Sequence, residues 1–216
     1  TSFLSIKNSE NTLNFTSANL LEDLLDCKKM PGRLHILSLV LNEVEEIPEL
    51  YLDADYLMII EPATRNLSRR LMSLRKSLLQ KGFFAWAPCF HQLECPLLKH
   101  SRKDWCHDRT KSELPAELAE VFAGLPMQTE HLPLSYLLVS RTKPPEGDRT
   151  RIIGDQLDEK GKVRQLICRN DQREFLTWMK RDKNQQVLFR GDSVTLREDQ
   201  LTSRGSELRL KKDVQL

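Results

Sequence analysis

The chain of 216 residues holds only eight glycines, and no two of them fall as Gly-x-Gly. That spacing is needed where a backbone turn closely approaches a dinucleotide or S-adenosylmethionine, so no such turn is encoded here. No apolar run reaches the ~18 residues that a spanning helix requires. No signal peptide opens the chain either, although a first residue of Thr1 robs that absence of weight. Five histidines are too few to mark a Ser-His-Asp arrangement. There is also no tight Cys-x2-4-Cys knuckle of the kind structural zinc sites favour. An apolar fraction of 39% with 30% charged residues excludes a disordered chain. The length accommodates one ordinary domain and a smaller second one.

What is present is a crowd of thiols. Three of the five cysteines, Cys89, Cys95 and Cys106, lie in the stretch APCFHQLECPLLKHSRKDWCH over residues 87–107. Without a sign of secretion, such crowding points to metal or cluster ligation ahead of disulfides. Cys168 offers a fourth thiolate far downstream. Four soft thiolates suit either zinc or an iron–sulfur cluster, and His91 or His107 could complete a three-cysteine zinc site. Unrelated buried thiols are the plain alternative. Cys27, three residues after Leu24 on an apolar helix face, reads as such a core thiol.

The net charge of +2 is unevenly spread. Residues 1–98 carry ten Lys/Arg against twelve Asp/Glu, residues 99–111 five against two, and residues 141–190 thirteen against eight. Positive charge therefore sits beside and after the cysteine stretch, as binding to a polyanion such as RNA would need. The candidate contacts are Lys99, Arg102, Lys103, Arg109, Arg151, Arg164 and Arg190. A solvated surface of mixed charge explains the same counts.

In chain order, residues 2–6 alternate as a strand, and a helix is expected from residue 16 or 17 to about 29. The run HILSLVL at 35–41 predicts a strand buried on both faces. A second strand at 56–60 is followed by a helix at about 66–80, with Leu67, Leu71, Leu74 and Leu78 inward and Arg69, Arg70, Arg75 and Lys76 outward. A third strand, 83–87, leads into Cys89. This alternation predicts an open parallel α/β sheet with ligands at the carboxyl ends of its strands, where Asn42, Glu43 and Glu61 fall. A helix over 112–131 and a strand over 134–139 complete a unit of residues 1–143. Pro144 to Asp148 reads as a boundary. Short alternating runs over 148–198 then predict a small antiparallel, barrel-like β unit carrying Cys168. Residues 199–216 read as a polar tail.

Several of these residues together resemble a known family. Ala87-Pro88-Cys89, His91, Cys95-Pro96-Leu97 and Asp104-Trp105-Cys106-His107 look like the cysteine motif of the methyltransferase-like small-ribosomal-subunit assembly proteins of mitochondria and bacteria. Ile60-Glu61-Pro62 with Thr64, Ser135-Tyr136-Leu137 with Arg141, and Gly191-Asp192 follow in the family's order. Phe90, Asp108, Ala63 and Arg190 depart from its pattern without removing a thiolate.

The resemblance implies a Rossmann-like, class I methyltransferase-type sheet and a structural [4Fe–4S] cluster on Cys89, Cys95, Cys106 and Cys168. It also implies a role in assembly of the small ribosomal subunit, with rRNA and ribosomal proteins as partners, in the bacterial cytoplasm or the mitochondrial matrix. No membrane partner is expected, and a monomer is expected off the ribosome. The glycine-rich turn of the family would lie before Thr1, so S-adenosylmethionine could bind only with an upstream half. No catalytic residue is assigned. Two other readings stand beside this one: an active S-adenosylmethionine-dependent RNA methyltransferase, and a zinc-stapled RNA-binding protein.

Overall fold

The computed structural model describes residues 3–8, 11–16, 32–111, 124, 131–182, 185–212 and 214. The helices expected at 16–29 and 112–131, Cys27 and the turn at 183–184 lie outside these residues apart from their ends. Near the start, β1 (Phe3–Asn8) and β2 (Asn11–Thr16) pair as an antiparallel hairpin.

The first large sheet is mixed. It contains β3 (Leu34–Ser38), β4 (Tyr56–Pro62), β5 (Phe84–Ala87), β6 (Asp108–Lys111) and β7 (His131–Ser140), in the order β3-β4-β7-β5 with β6 also on β7. β3 and β4 are parallel, but β7 runs antiparallel to β4, β5 and β6. The parallel expectation thus holds for β3 and β4 and fails at β7, a reversed strand set between β4 and β5. A short helix, α1 (Glu49–Leu52), precedes β4, and α2 (Arg65–Gln80) covers the sheet. Thr64 caps α2 by accepting from the Leu67 N–H.

α2 has two buried faces, which its leucine spacing alone did not reveal. Leu67, Leu71 and Leu78 join Leu57, Ile59, Leu137 and Val139 in the sheet core. One residue further round, Ser68, Met72 and Arg75 are buried as well, facing the cysteine stretch. Arg75, expected on the outer face, is 3% exposed and donates to the carbonyls of His91 and Leu93. Arg69 donates to the carbonyls of Ser101 and Asp104, and Arg70 to those of Leu41, Val44 and Glu45. These guanidiniums satisfy loop carbonyls that would otherwise be unpaired.

β3 departs from expectation too. It ends at Ser38 rather than Leu41, because Leu39 turns into the left-handed region at φ 61°. Among the described residues it pairs only with β4, and Leu34 and Ile36 are 47% and 52% exposed, so it is an edge strand and not one buried on both faces.

The second sheet has seven strands: β8 (Arg149–Ile152), β9 (Leu157–Glu159), β10 (Lys162–Cys168), β11 (Glu174–Met179), β12 (Ser193–Thr195), β13 (Leu201–Arg204) and β14 (Glu207–Leu210). Their order is β12-β8-β10-β11-β14-β13 with β9 on β10, antiparallel except where β14 lies parallel to β11. The run at 186–189 forms no strand. Residues 201–210, read as part of a polar tail, form a hairpin instead. Leu201, Leu208 and Leu210 are buried with Ile152, Ile167, Leu176 and Trp178, while the charged residues between them make the outer face.

Between the two sheets lies a third apolar cluster. Met72 of α2, Leu97, Ile153, Leu166 of β10 and Phe175 of β11 form it, with Cys95, Cys106, Cys168 and Trp105 packed against it. Gly154 allows the closest approach in this region. A Cβ there would lie 2.7 Å from the Leu166 Cβ and 3.0 Å from its backbone nitrogen.

Candidate metal centre

The cysteine stretch is an excursion from one flank of β7. β5 pairs with β7 up to Ala87 opposite Leu138, and β6 resumes on the same flank with Asp108 opposite Leu134. Residues 88–107 therefore leave the sheet and return to the same strand a few positions along. Pinning both ends limits the conformations of this long loop. Its course is fixed further by Arg75, by Gln92, whose amide pairs with both the N–H and C=O of Ala85 at 2.8 Å, and by Trp105, which donates to the Ala63 carbonyl at 3.0 Å. α3 (Pro96–His100) starts directly after Cys95. The Ser135 hydroxyl donates to the Cys106 carbonyl at 2.8 Å.

Cys168 comes from the other sheet, as the last residue of β10. It lines the same cavity as Cys89, Cys95 and Cys106, walled otherwise by Leu71, Met72, Pro88, Pro96, Leu97, Tyr136, Leu137 and Ile153 among others. The cavity encloses about 40 Å³. That exceeds the ~10–15 Å³ needed for one water.

Charge makes the cavity unusual for four thiols. Burial pushes Cys95 up to about 11, against the pull of the Leu98 and Leu97 N–H groups. Burial also raises Cys106, against nearby Arg151, and raises Cys168 well above the ordinary thiol value with help from Cys89, Cys106 and Cys95. The thiols raise one another because several thiolates in an apolar cavity repel. A bound cationic centre would reverse that balance, since metal binding deprotonates thiols. The two histidines stay neutral: burial, with Arg75 for His91 and Arg190 for His107, lowers both to about 4. His91 Nε2 lies 3.3 Å from the Cys168 sulfur, as a hydrogen-bonding neighbour.

Four sulfurs around one zinc, at about 2.3 Å from it, would be about 3.8 Å apart. Among the described residues, no three His, Cys, Asp or Glu side chains are arranged to hold a single metal ion. Four soft thiolates lining one cavity are a donor set that either zinc or an iron–sulfur cluster takes.

The basic residues divide sharply. Arg102, Lys103 and Lys111 are exposed along the cysteine loop and β6, and Arg109, exposed beside them, pairs with Asp155 at 3.5 Å. Lys99 pairs with Asp171 at 2.5 Å and Arg164 with Glu159 at 2.6 Å, Arg164 also lying over the Phe175 ring. The Arg190 side chain is 12% exposed and held by Asp155 and the Ile153 carbonyl. Arg151 is 4% exposed and donates to Cys106 and Asp108, which removes it from any RNA-facing surface. Its place beside a cysteine was missed because nothing local to ThrArgIle distinguishes it from a surface residue.

The proposed crevice residues also separate. Asn42 and Glu43 are exposed on the turn after β3. Glu61 is fully buried, and its Oε1 accepts from the N–H groups of Val40 and Leu41, each at 2.9 Å. It holds the end of the β3 turn and does not stand at an open edge.

The fold and cavity define a mixed α/β protein with a four-cysteine centre where two sheets meet. Residues 7–190 match the family described as mitochondrial small ribosomal subunit Rsm22, and the chain belongs to that family. No curated protein matches the chain.

Proposed function

We propose that the chain serves assembly or translation on the small ribosomal subunit, as a methyltransferase-like protein that binds rRNA and carries a structural [4Fe–4S] cluster. Cys89, Cys95, Cys106 and Cys168 would hold the cluster. The observation that carries this reading is the convergence of Cys89, Cys95 and Cys106, from the first sheet's loop, and Cys168, from the second sheet, on one partly enclosed cavity. Family membership supports the ribosomal part, and the family's description favours mitochondria over a bacterial cytoplasm. When bound, the cluster would supply a rigid cross-link and offset part of the charge of four thiolates. The chain's own residues do the rest: Arg75, Gln92 and Ser135 hold the loop in course, and Cys168 ties the second sheet to it.

RNA binding is ascribed to Arg102, Lys103, Arg109 and Lys111, which are exposed on the cysteine loop and β6. Contacts of this kind to phosphates give affinity and orientation with little reading of sequence. Asn42, Glu43 and Glu61 do not converge on one site, and the proposed role does not require catalysis. Among the described residues no helix is long and apolar enough to cross a membrane.

The test is a salt titration of binding to small-subunit rRNA fragments by the anaerobically purified protein. Changing Arg102, Lys103 and Lys111 together to Gln should weaken binding to all fragments alike. It should also flatten the slope of log affinity against log salt by about 0.7 per lost contact on single strands. An unchanged slope would remove this surface from the proposal.

A further inference from the structure

Arg151 stands where a charged side chain needs a reason. It lies on β8 directly across from Cys168 on β10, so the two side chains emerge on one face of the second sheet. Both reach the cavity that the first sheet's loop supplies with three cysteines. The guanidinium divides its donors: Nη1 lies 3.0 Å from the Cys106 sulfur, and Nη2 donates to Asp108 Oδ1. The Tyr136 ring lies 5.8 Å from the guanidinium carbon. Asp108 is itself confined, since a Cβ on Gly191 would come within 3.0 Å of its Cγ.

A buried ion is costly unless paired and fully hydrogen-bonded, and a guanidinium keeps its charge at any ordinary pH. Asp108 alone would pair it. The second donor nonetheless faces sulfur, in a cavity where four thiolates would otherwise gather uncompensated.

We propose that Arg151, seated by Asp108, is the charged donor of this centre: its hydrogen bond to the Cys106 sulfur raises the reduction potential of the bound iron–sulfur group and slows the loss of iron. The inference rests on the cluster reading above. Its physical basis is that reduction adds one negative charge to a group already negative through its four thiolates. Hydrogen bonds to sulfur and nearby positive charge favour that reduced form. Arg151 is a positioning residue, acting through a ligand and touching no substrate.

The test compares anaerobically purified wild type, Arg151→Gln and Arg151→Lys. Each is titrated with dithionite in the presence of mediators, every cluster taking one electron from the dithionite, which is oxidised to sulfite. Release of iron to a ferrous chelator is timed in parallel. Arg151→Gln should lower the midpoint potential and release iron faster, by roughly 10–100-fold, the usual effect of losing an outer partner of a metal ligand. Arg151→Lys should fall between the two, since an ammonium keeps the charge but lacks the fork that reaches sulfur and carboxylate together. Simple loosening would admit water and move the potential upward, because water stabilises the more charged form. A lowered potential therefore separates the donor role from a packing role.

If Arg151→Gln yields no folded protein, Arg151→Lys decides alone: a potential below wild type supports the proposal and a wild-type potential overturns it. Iron-loaded variants that all titrate like wild type overturn the assignment of Arg151 and leave the cluster standing. A wild type that purifies without iron overturns both.

Discussion

The two sheets contribute to the cysteine centre in different ways. The first gives three cysteines from one loop, tied at both ends to β7 and braced by Arg75, Gln92 and Trp105. The second gives one cysteine and one buried arginine on paired strands. The loop side is held by hydrogen bonds that need no metal. The strand side reaches the loop through Arg151–Asp108, Lys99–Asp171, Arg173–Asp104 and, in the proposed state, the bound group. The lesson is that the thiolate supplied singly is the one whose loss most alters how the halves are joined.

Cys168→Ser breaks the comparison most severely. It should abolish stable metal loading, read as loss of iron from anaerobically purified protein. Limited proteolysis should then cut faster between Pro144 and Asp148, where the chain passes from one sheet to the other. Cys89→Ser keeps thiolates from both sheets, Cys95, Cys106 and Cys168, so it should load less metal than wild type, and what it retains should leave that segment better protected; the three ion pairs remain in both variants. Equal cleavage in the two variants would erase the distinction.

Leu208→Ala comes next. The side chain is 3% exposed in the second sheet's core, and its truncation should cost about 2–5 kcal/mol in a denaturant titration. A negligible loss would return residues 201–210 to the status of a tail. Gly154→Ala forces a methyl group against Leu166, and such overpacking costs about 1–3 kcal/mol. Its cost falls at the cluster joining the sheets, so thermal unfolding monitored at Trp105 and Trp178 should shift together.

The smallest effect is a pH dependence. The hydrogen bond from Lys162, with one from Arg209, holds the Glu207 carboxyl below its ordinary range. A depressed carboxyl stabilises the fold above its unfolded pKa, and this contribution is lost as pH falls through the lowered value. Wild type should melt slightly above Glu207→Gln at neutral pH, and the difference should close in acid. A difference that persists there would assign the effect to packing.

That Cys89, Cys95, Cys106 and Cys168 belong together was legible, the first three from their crowding and Cys168 from the family's order, and all four line one cavity; zinc, a cluster and plain thiols all remained open readings of them. α2 was legible from its leucine spacing, and the β unit from its short alternating runs. Arg151 was not, because its burial depends on Asp108, 43 residues earlier and on another sheet. Arg75 was misread for a similar reason: a helix with two buried faces places an arginine under a loop whose carbonyls it satisfies. The reversal of β7 and the edge position of β3 are matters of pairing, which an apolar run does not encode. In the final hairpin, alternation with Arg and Glu gave a polar average that hid three inward leucines.

That these four cysteines hold an iron–sulfur cluster is the proposal on which the rest depends. Anaerobic purification, a visible absorption spectrum, and iron, sulfide and zinc analysis test it directly. The account predicts a brown protein with about four irons and matching sulfide per chain. A colourless protein with one zinc, or with neither metal, would contradict it.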